Sequence, residues 1–166
     1  ELEGIIQTQV NPQIGLDFSR LLRTFLRQDP DIIMLGEIRD EESALMALRA
    51  AQTGHLVLST LHTNDALSAI SRLQQLGIQS HEIENSLLLV IAQRLVRKRC
   101  LKCSQHFSES CDCHQGYRGR IGVYQFLQCE NNRYQTDFDS LYQSALEKVK
   151  DHVTDLDEIQ RVLGKK

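Results

Sequence analysis

The feature that most constrains the fold is the nine-residue stretch IIMLGEIRD, residues 32–40. It begins with four bulky aliphatic residues, which favour a short strand buried on both faces of a parallel sheet. A glycine and three charged residues then arrive together, and a core strand has no packing use for them. In open α/β sheets the reactive groups gather at the carboxyl ends of the strands. The stretch therefore predicts a buried strand that carries Glu37, Arg39 and Asp40 to a functional edge.

The pattern around this stretch alternates between strands and helices, which is typical of an α/β protein with a parallel sheet. Apolar spacing and capping residues predict helices over residues 18–28, 41–52, 65–77 and 80–96. Apolar runs bounded by turn signals predict strands over residues 2–10, 32–35, 55–60 and 120–127. Residues 137–163 are predicted to be helical, with a break near Thr154.

Size and charge narrow the classes of protein further. The sequence has 166 residues, enough for one sizeable core, and its formal net charge of −3 gives no global basic field for nucleic acid or an anionic membrane. The longest apolar run, residues 87–92, is far shorter than the roughly 20 residues that cross a bilayer, so no direct membrane span is predicted. Residue 1 is a glutamate at the edge of a predicted strand, and we interpret the sequence as a fragment of something longer.

Polar residues after two predicted strands are the candidate catalytic groups. Glu37 and Asp40 follow the first strand, and His62 follows the second. If these strands are neighbours, Glu37 and His62 face one pocket, where an acidic group can order Mg²⁺ or the attacking water and a polar group can sense a terminal phosphate. Gly36 then lets the backbone turn tightly beside a ligand. The competing interpretation is a solvated turn with an internal salt bridge and a hydrogen-bonded histidine at the core edge.

Two long stretches resemble the bacterial secretion ATPase family, whose members are hexameric motors of type II secretion and type IV pilus assembly. LRQDPDIIMLGEIRD, residues 26–40, resembles that family's Walker B region, and AAQTGHLVLSTLHTNDA, residues 50–66, resembles its histidine box. The resemblance continues through VIAQRLVRKRC, the paired cysteines, GYRGRIGVYQFL and VTDLDEIQRVLG. It implies an α/β fold: the distal half of a RecA-like P-loop NTPase sheet, a small cysteine-rich zinc-type module and a C-terminal helical subdomain.

The resemblance also implies roles for the residues at the strand ends. Glu37 would order the attacking water, and His62 would lie near the γ-phosphate. Arg39 and Asp40 would fix the turn that carries Glu37, with Gly36 beside the nucleotide. ATP and Mg²⁺ are the implied cofactors.

Two arginines, Arg23 and Arg27, match an arginine-bearing helix of the same family. There they would neutralise phosphate charge, although surface arginines on a helix often only solvate it. The family's phosphate-binding loop, GxxxxGK[ST], does not occur in this sequence. In the family that loop lies upstream, so we expect this chain alone to bind ATP poorly and to hydrolyse little or none.

The implied assembly is a homo-hexamer that docks on an inner-membrane platform protein from the cytoplasmic side. The implied domains are residues 1–96, the distal ATPase part; 97–129, the cysteine-rich module with the following strand; and 130–166, the helical subdomain. A non-catalytic fragment that acts only in oligomerisation or interaction is the alternative.

Four cysteines predict a zinc site. Cys100 and Cys103 form a C-x₂-C knuckle, and Cys111 and Cys113 follow after seven residues. Four thiolates, or three with His114 as the alternative fourth ligand, make a closed tetrahedral zinc site. The second pair is C-x-C rather than C-x₂-C, so inert thiols remain the competing interpretation. A fifth cysteine stands apart and is most simply a small core residue.

A basic cluster beside the cysteines raises the alternative of nucleic-acid binding. Its members are Arg94, Arg97, Lys98, Arg99 and Lys102. No aromatic residue interleaves this cluster for base stacking, and the sequence as a whole is acidic. We therefore expect no nucleic-acid partner.

Overall fold

The computed structural model describes residues 3–103, 111–130, 133–135 and 139–164, and it separates into two compact units. The first unit comprises the residues up to His62 together with Ser71–Ser86, and the second comprises Thr63–Ile70 and the residues from Leu87 onward. The three-part division predicted from the sequence stays a prediction.

The described elements are α1 (Phe18–Phe25), β1 (Ile32–Leu35), α2 (Glu41–Gln52), β2 (Leu56–Ser59), α3 (Ala66–Gln75), α4 (Ser80–Ser86), β3 (Leu89–Arg99), β4 (Tyr117–Glu130), β5 (Arg133–Gln135), α5 (Leu141–Lys150) and α6 (Leu156–Leu163), with a 3₁₀ turn at Pro12–Ile14. The longest of these helices has 12 residues, and no helix in the described part is long and apolar enough to cross a bilayer. The predicted bounds of β1 and α2 are confirmed to the residue.

The core of the first unit lies on one face of a two-stranded parallel sheet. β1 and β2 pair from Ile32 opposite Leu56 to Leu35 opposite Ser59. The inward residues of β1 pack against α1 and α2, in a cluster made of Leu22, Ile33, Leu35, Met46, Ala47 and Ala50. The other face is exposed at Ile32, Met34, Leu56 and Leu58. The prediction that both faces of β1 are buried is therefore wrong for this chain, because both helices cover the same side.

The core of the second unit is formed by an antiparallel sheet in the order β3-β4-β5. Its inner face packs against the start of α3 and against α5 and α6, and the buried residues are Ala66, Ala92, Val96, Val123, Leu127, Leu141, Ala145 and Ile159. Its outer face carries the exposed apolar residues Leu89, Ile91, Leu95, Tyr124 and Phe126. The described sheets are thus both parallel and antiparallel, where the sequence predicted parallel pairing.

One long element was predicted wrongly. The helix expected over residues 80–96 ends at Ser86, and an 11-residue strand begins at Leu89. The apolar residues of this segment satisfy a helical spacing, but they also alternate, with Ala92 and Val96 inward. Pairing with β4 over almost the full length of the strand decides between the two periods, because it satisfies the backbone polar groups of both strands.

The ends of the sequence also differ from the prediction. Residues 3–10 form no strand, since no described strand pairs with them, and residue 2 lies outside the described residues. β4 extends well beyond the predicted residues 120–127, and α1 ends at Phe25 rather than at residue 28. The predicted break near Thr154 is confirmed, since α5 ends at Lys150 and α6 begins at Leu156; the predicted start at residue 137 lies outside the described residues.

Candidate functional site

Parallel pairing of β1 and β2 brings their carboxyl ends to one edge of the sheet. Leu35 and Ser59 are the last paired residues, so the turn with Glu37 and the segment with His62 leave the sheet side by side. The backbone N–H of Ile38 donates to the carbonyl oxygen of Thr60 at 3.0 Å, which extends the contact beyond the strands. The strands are therefore neighbours, as the pocket hypothesis requires.

Glu37 uses its two carboxylate oxygens differently. Oε1 forms an ion pair with the guanidinium of Arg39. Oε2 is buried and accepts no hydrogen bond from any described residue, although Nε2 of His62 lies 3.3 Å from it. The structure thus brings together three of the predicted site residues, and it leaves one oxygen of the carboxylate open.

The pKa of Glu37 lies below its ordinary value. The hydrogen bond from Arg39 is the largest cause of the lowered pKa, burial acts in the opposite direction, and the imidazole of His62 adds to the lowering. Glu37 is therefore ionised at neutral pH and can accept a proton or order a water molecule.

Asp40 has a structural contact that the sequence did not reveal. Its Oδ1 accepts the backbone N–H of Ser43 at 2.8 Å, and the hydroxyl oxygen of Ser43 accepts the backbone N–H of Asp40 at 3.3 Å, so the two residues form a capping box. The backbone hydrogen bond from Ser43 lowers the pKa of Asp40. The carboxylate thereby fixes the start of α2, directly after the turn that carries Glu37.

From the sequence we expected Gly36 to allow a tight backbone turn, but its conformation does not require glycine. Its φ is not positive, and a Cβ at this position would meet no heavy atom within 4 Å. The space beside Gly36 is open.

Arg23, on the exposed side of α1, and Arg27, in the turn that follows α1, lie apart from the strand-end residues. They line a cleft of about 590 Å³ together with Asp17, Ser19, Arg20, Thr24, Gln28 and Glu42. Neither Glu37 nor His62 is among the lining residues. A role for the two arginines in binding phosphate stays a prediction.

The four predicted zinc ligands form one cluster. The sulfur atoms of Cys100, Cys103, Cys111 and Cys113 all lie within 4.8 Å of one another. The Sγ–Sγ distance is 3.8 Å between Cys100 and Cys111 and 3.7 Å between Cys103 and Cys113. Four thiolates about 2.3 Å from a tetrahedral zinc ion stand about 3.8 Å apart, so these cysteines fit zinc. His114 is not part of the cluster, and its backbone pairs with Tyr117 at the base of β4.

The thiols of the cluster have different pKa values, because they form hydrogen bonds with one another and with nearby backbone N–H groups. Burial would raise the pKa of Cys100, but the backbone N–H groups of Cys103 and Lys102 outweigh it and bring the pKa to about 7. A hydrogen bond with the sulfur of Cys103 raises the pKa of Cys111 to about 12. Thiolates this close repel one another, and a bound cation would remove that repulsion.

A polar network next to the cysteine cluster was not predicted from the sequence. Glu158 of α6 is fully buried, and its Oε1 accepts the backbone N–H of Arg97 at 2.8 Å and Nη2 of Arg161 at 2.6 Å. Its Oε2 accepts Nε of Arg97 at 2.8 Å and Nε of Arg161 at 2.7 Å. The guanidinium of Arg97 lies 4.0 Å from the ring centroid of Tyr117, whose hydroxyl donates to Asp155 at 2.8 Å. This network joins β3, β4 and the start of α6.

Sequence comparisons identify the family of the chain. The sequence profile of the family described as "Type II/IV secretion system protein" matches residues 1–161. The chain is 79% identical, over 99% of its length, to the protein transport protein HofB homolog of Haemophilus influenzae, and 41% identical, over 97% of its length, to the type IV pilus assembly ATPase PilB of Acinetobacter baylyi. It spans 36% and 35% of these relatives, respectively, so it matches about a third of their length.

Solved structures show the same fold. The chain superposes on the Legionella pneumophila ATPase DotB with a TM-score of 0.70 at 21% identity, covering 90% of this chain and 43% of that one. It superposes on the pilus retraction motor PilT, crystallised with bound ADP, with a TM-score of 0.68 at 28% identity, covering 89% and 45%. With the matching family profile and the identity to PilB, these findings show that the chain belongs to the family of type II/IV secretion system proteins.

Proposed function

We propose that this chain is the distal part of an ATPase that works as a ring of six and powers type IV pilus assembly or type II secretion. Relatives named as a type IV pilus assembly ATPase and a type II secretion system ATPase support this class of function. The observation that carries the proposal is the open Oε2 of Glu37, beside His62 at the ends of two paired parallel strands.

The geometry suits hydrolysis by an ordered water molecule. Bound Mg·ATP would supply the electrophilic γ-phosphate. Arg39 occupies Oε1 of Glu37 and keeps the carboxylate ionised, so Oε2 remains to accept a hydrogen bond from water. His62, 3.3 Å away, provides a second polar group at the same point. Arg23 on α1 and Arg27 just after it would add positive charge toward phosphate.

The assembly and location follow from the same proposal. The protein would stand on the cytoplasmic side of the inner membrane, where it would dock on a platform protein of the pilus or secretion machine. No nucleic-acid partner is proposed, because the net charge of the sequence is −3.

Replacing Glu37 by glutamine in the intact protein tests the reaction. Glu37→Gln keeps the shape of the side chain but cannot accept a proton, so we expect turnover to fall by about 100-fold or more while ATP binding persists. Glu41→Gln is the matched control, since Glu41 is an exposed carboxylate at the start of α2. Unchanged turnover in Glu37→Gln would remove Glu37 from the reaction. An unaltered intact protein that neither binds nor hydrolyses ATP would favour the alternative, a non-catalytic interaction domain.

We also propose that Cys100, Cys103, Cys111 and Cys113 hold one structural Zn²⁺, which would clip together a segment with little core of its own. The observation that carries this is the grouping of the four sulfurs within 4.8 Å of one another, with two of the distances at 3.7 and 3.8 Å. Elemental analysis should find one zinc ion in each molecule. Cys113→Ala should lose the metal, whereas Cys129→Ala, outside the cluster, should keep it. Absence of zinc with all thiols reactive would show that the cluster is inert.

A further inference from the structure

Thr60, the residue directly after β2, makes two contacts with the turn that carries Glu37. Its side-chain hydroxyl donates to the backbone carbonyl oxygen of Gly36 at 2.6 Å. Its own carbonyl oxygen accepts the N–H of Ile38 at 3.0 Å. These two hydrogen bonds lie immediately before and immediately after Glu37 in the sequence, so they bracket it.

The later part of this turn is held by Ile38, which packs against the core, and by the N–H of Arg39, which donates to Ser43 at 3.3 Å, whereas its first residue, Gly36, has no such contacts. The register of β1 and β2 ends at Leu35 and Ser59, so Gly36 lies beyond the strand ladder. Glycine leaves the backbone its widest conformational freedom, and open space surrounds the position of its missing Cβ. The hydroxyl of Thr60 therefore supplies, from a side chain, the restraint that strand pairing no longer gives.

We propose that Thr60 is a positioning residue that fixes the backbone of Glu37 relative to His62. Thr60 and His62 belong to one short segment, so the same segment holds the backbone around Glu37 and presents the imidazole to its open oxygen. This inference rests on the proposed function of Glu37. Positioning matters there because a small misplacement of a catalytic group costs a large part of its rate.

The neighbouring hydroxyl does not share this role. Ser59 reaches only the carbonyl oxygen of Thr60, at 3.5 Å, and makes no described contact with the turn after β1. Thr53 donates within its own helix end, to the carbonyl oxygen of Ala50 at 2.9 Å. Thr53→Val is therefore a suitable control for the loss of a threonine hydroxyl that bonds a backbone carbonyl elsewhere in the same unit.

The test compares Thr60→Val, which keeps the shape but removes the hydroxyl, with Thr60→Ser, which keeps the hydroxyl. In the intact protein, hydrogen exchange of the Ile38 amide, read by fragmentation mass spectrometry, should be about threefold to tenfold faster in Thr60→Val. The kcat for ATP should fall by about tenfold or more with little change in KM. Thr60→Ser should restore both quantities, and Thr53→Val should leave both unchanged.

Each other outcome overturns part of the inference. Unchanged exchange at Ile38 in Thr60→Val would show that the hydroxyl does not hold the turn. Faster exchange with unchanged kcat would show that the turn is held but that its position does not matter for turnover. Full turnover in Glu37→Gln would instead overturn the proposed function itself, and it would do so without any change in the exchange result.

Discussion

Two glutamates of this protein are both paired with arginine, yet they have opposite surroundings. Glu158 is fully buried, and each of its oxygens accepts hydrogen bonds from Arg97 and Arg161. Glu37 stands at a strand end, where Arg39 takes one oxygen and the other has only the imidazole of His62 near it among the described residues, at 3.3 Å. Both have lowered pKa values, because hydrogen bonds from arginine favour the ionised form over the opposing effect of burial. A shifted pKa alone therefore does not distinguish a structural carboxylate from one that serves a ligand.

The open oxygen makes that distinction. A carboxylate whose oxygens are all occupied gains nothing from a further partner and fixes the elements around it. A buried oxygen without a partner is costly in the free protein, and a ligand or a water molecule removes that cost. In these terms Glu158 holds β3 to α6, whereas Glu37 has the proposed role toward a ligand at the strand ends.

The largest expected difference between the two glutamates is in stability. Glu158→Gln removes the charge between two arginines inside the protein, so we expect the free energy of unfolding to fall by about 3 kcal/mol. Glu37→Gln should leave it nearly unchanged, because the pair with Arg39 lies near the surface, where solvent screens it. Denaturant unfolding of both variants measures the difference, with Asp157→Asn, an exposed neighbour on α6, as the control. Equal losses of unfolding free energy in Glu158→Gln and Glu37→Gln would contradict the distinction between the two glutamates.

The second largest expected effect is the loss of folding stability when Glu158 is protonated at low pH. Burial would raise the pKa of Glu158, but hydrogen bonds from Arg161 and Arg97 lower it from 4.5 to about 2. A lowered folded-state pKa gives stability that is complete above the ordinary value and is lost as the pH falls through the lowered one, by roughly 2–3 kcal/mol. The pH dependence of unfolding from about pH 5 down to about pH 2 measures this loss. Glu158→Gln should flatten that dependence, and an unchanged profile would contradict the assignment.

The smallest expected effect concerns a third carboxylate, Asp40. Like Glu158, it accepts a hydrogen bond from another residue of the protein. Asp40→Ala removes the cap of α2, so we expect a loss of about 1 kcal/mol in the free energy of unfolding. Asp40→Asn should recover most of it, because an amide oxygen can also accept the N–H of Ser43. Thermal unfolding of the two variants gives the comparison; equal losses would show that the charge, rather than the cap, stabilises α2.

The sequence predicted the surroundings of Glu37 well because they are local. β1 and α2 are bounded by signals within a few residues, and Glu37 and His62 follow directly from the ends of two strands. The network of Glu158 could not be predicted in this way, because its partner Arg97 lies 61 residues away and an acidic residue in an amphipathic helix resembles a surface residue. Thr60 was missed although it lies in the stretch that resembles the histidine box, since the partner of a hydroxyl is visible only in three dimensions.

The error over residues 80–96 has a different cause. Apolar residues in this segment fit both a helical and an alternating spacing, so local pattern does not decide between helix and strand. The decision comes from β4, whose pairing residues begin only at Tyr117. Secondary structure that depends on such distant pairing is outside the reach of reasoning from single segments.

That strand also has a consequence for behaviour in solution. β3 is an 11-residue strand at the edge of its sheet as described, and it presents Leu89, Ile91 and Leu95 outward. Long apolar edges of this kind recruit further strands from other molecules, and charged residues at the edge limit this. The charged residues of β3 begin at Arg94, so its first half, from Leu89 to Gln93, carries none. We therefore expect the first half of β3 to promote self-association of this chain, and Ile91→Lys, which places a charge there, to slow it.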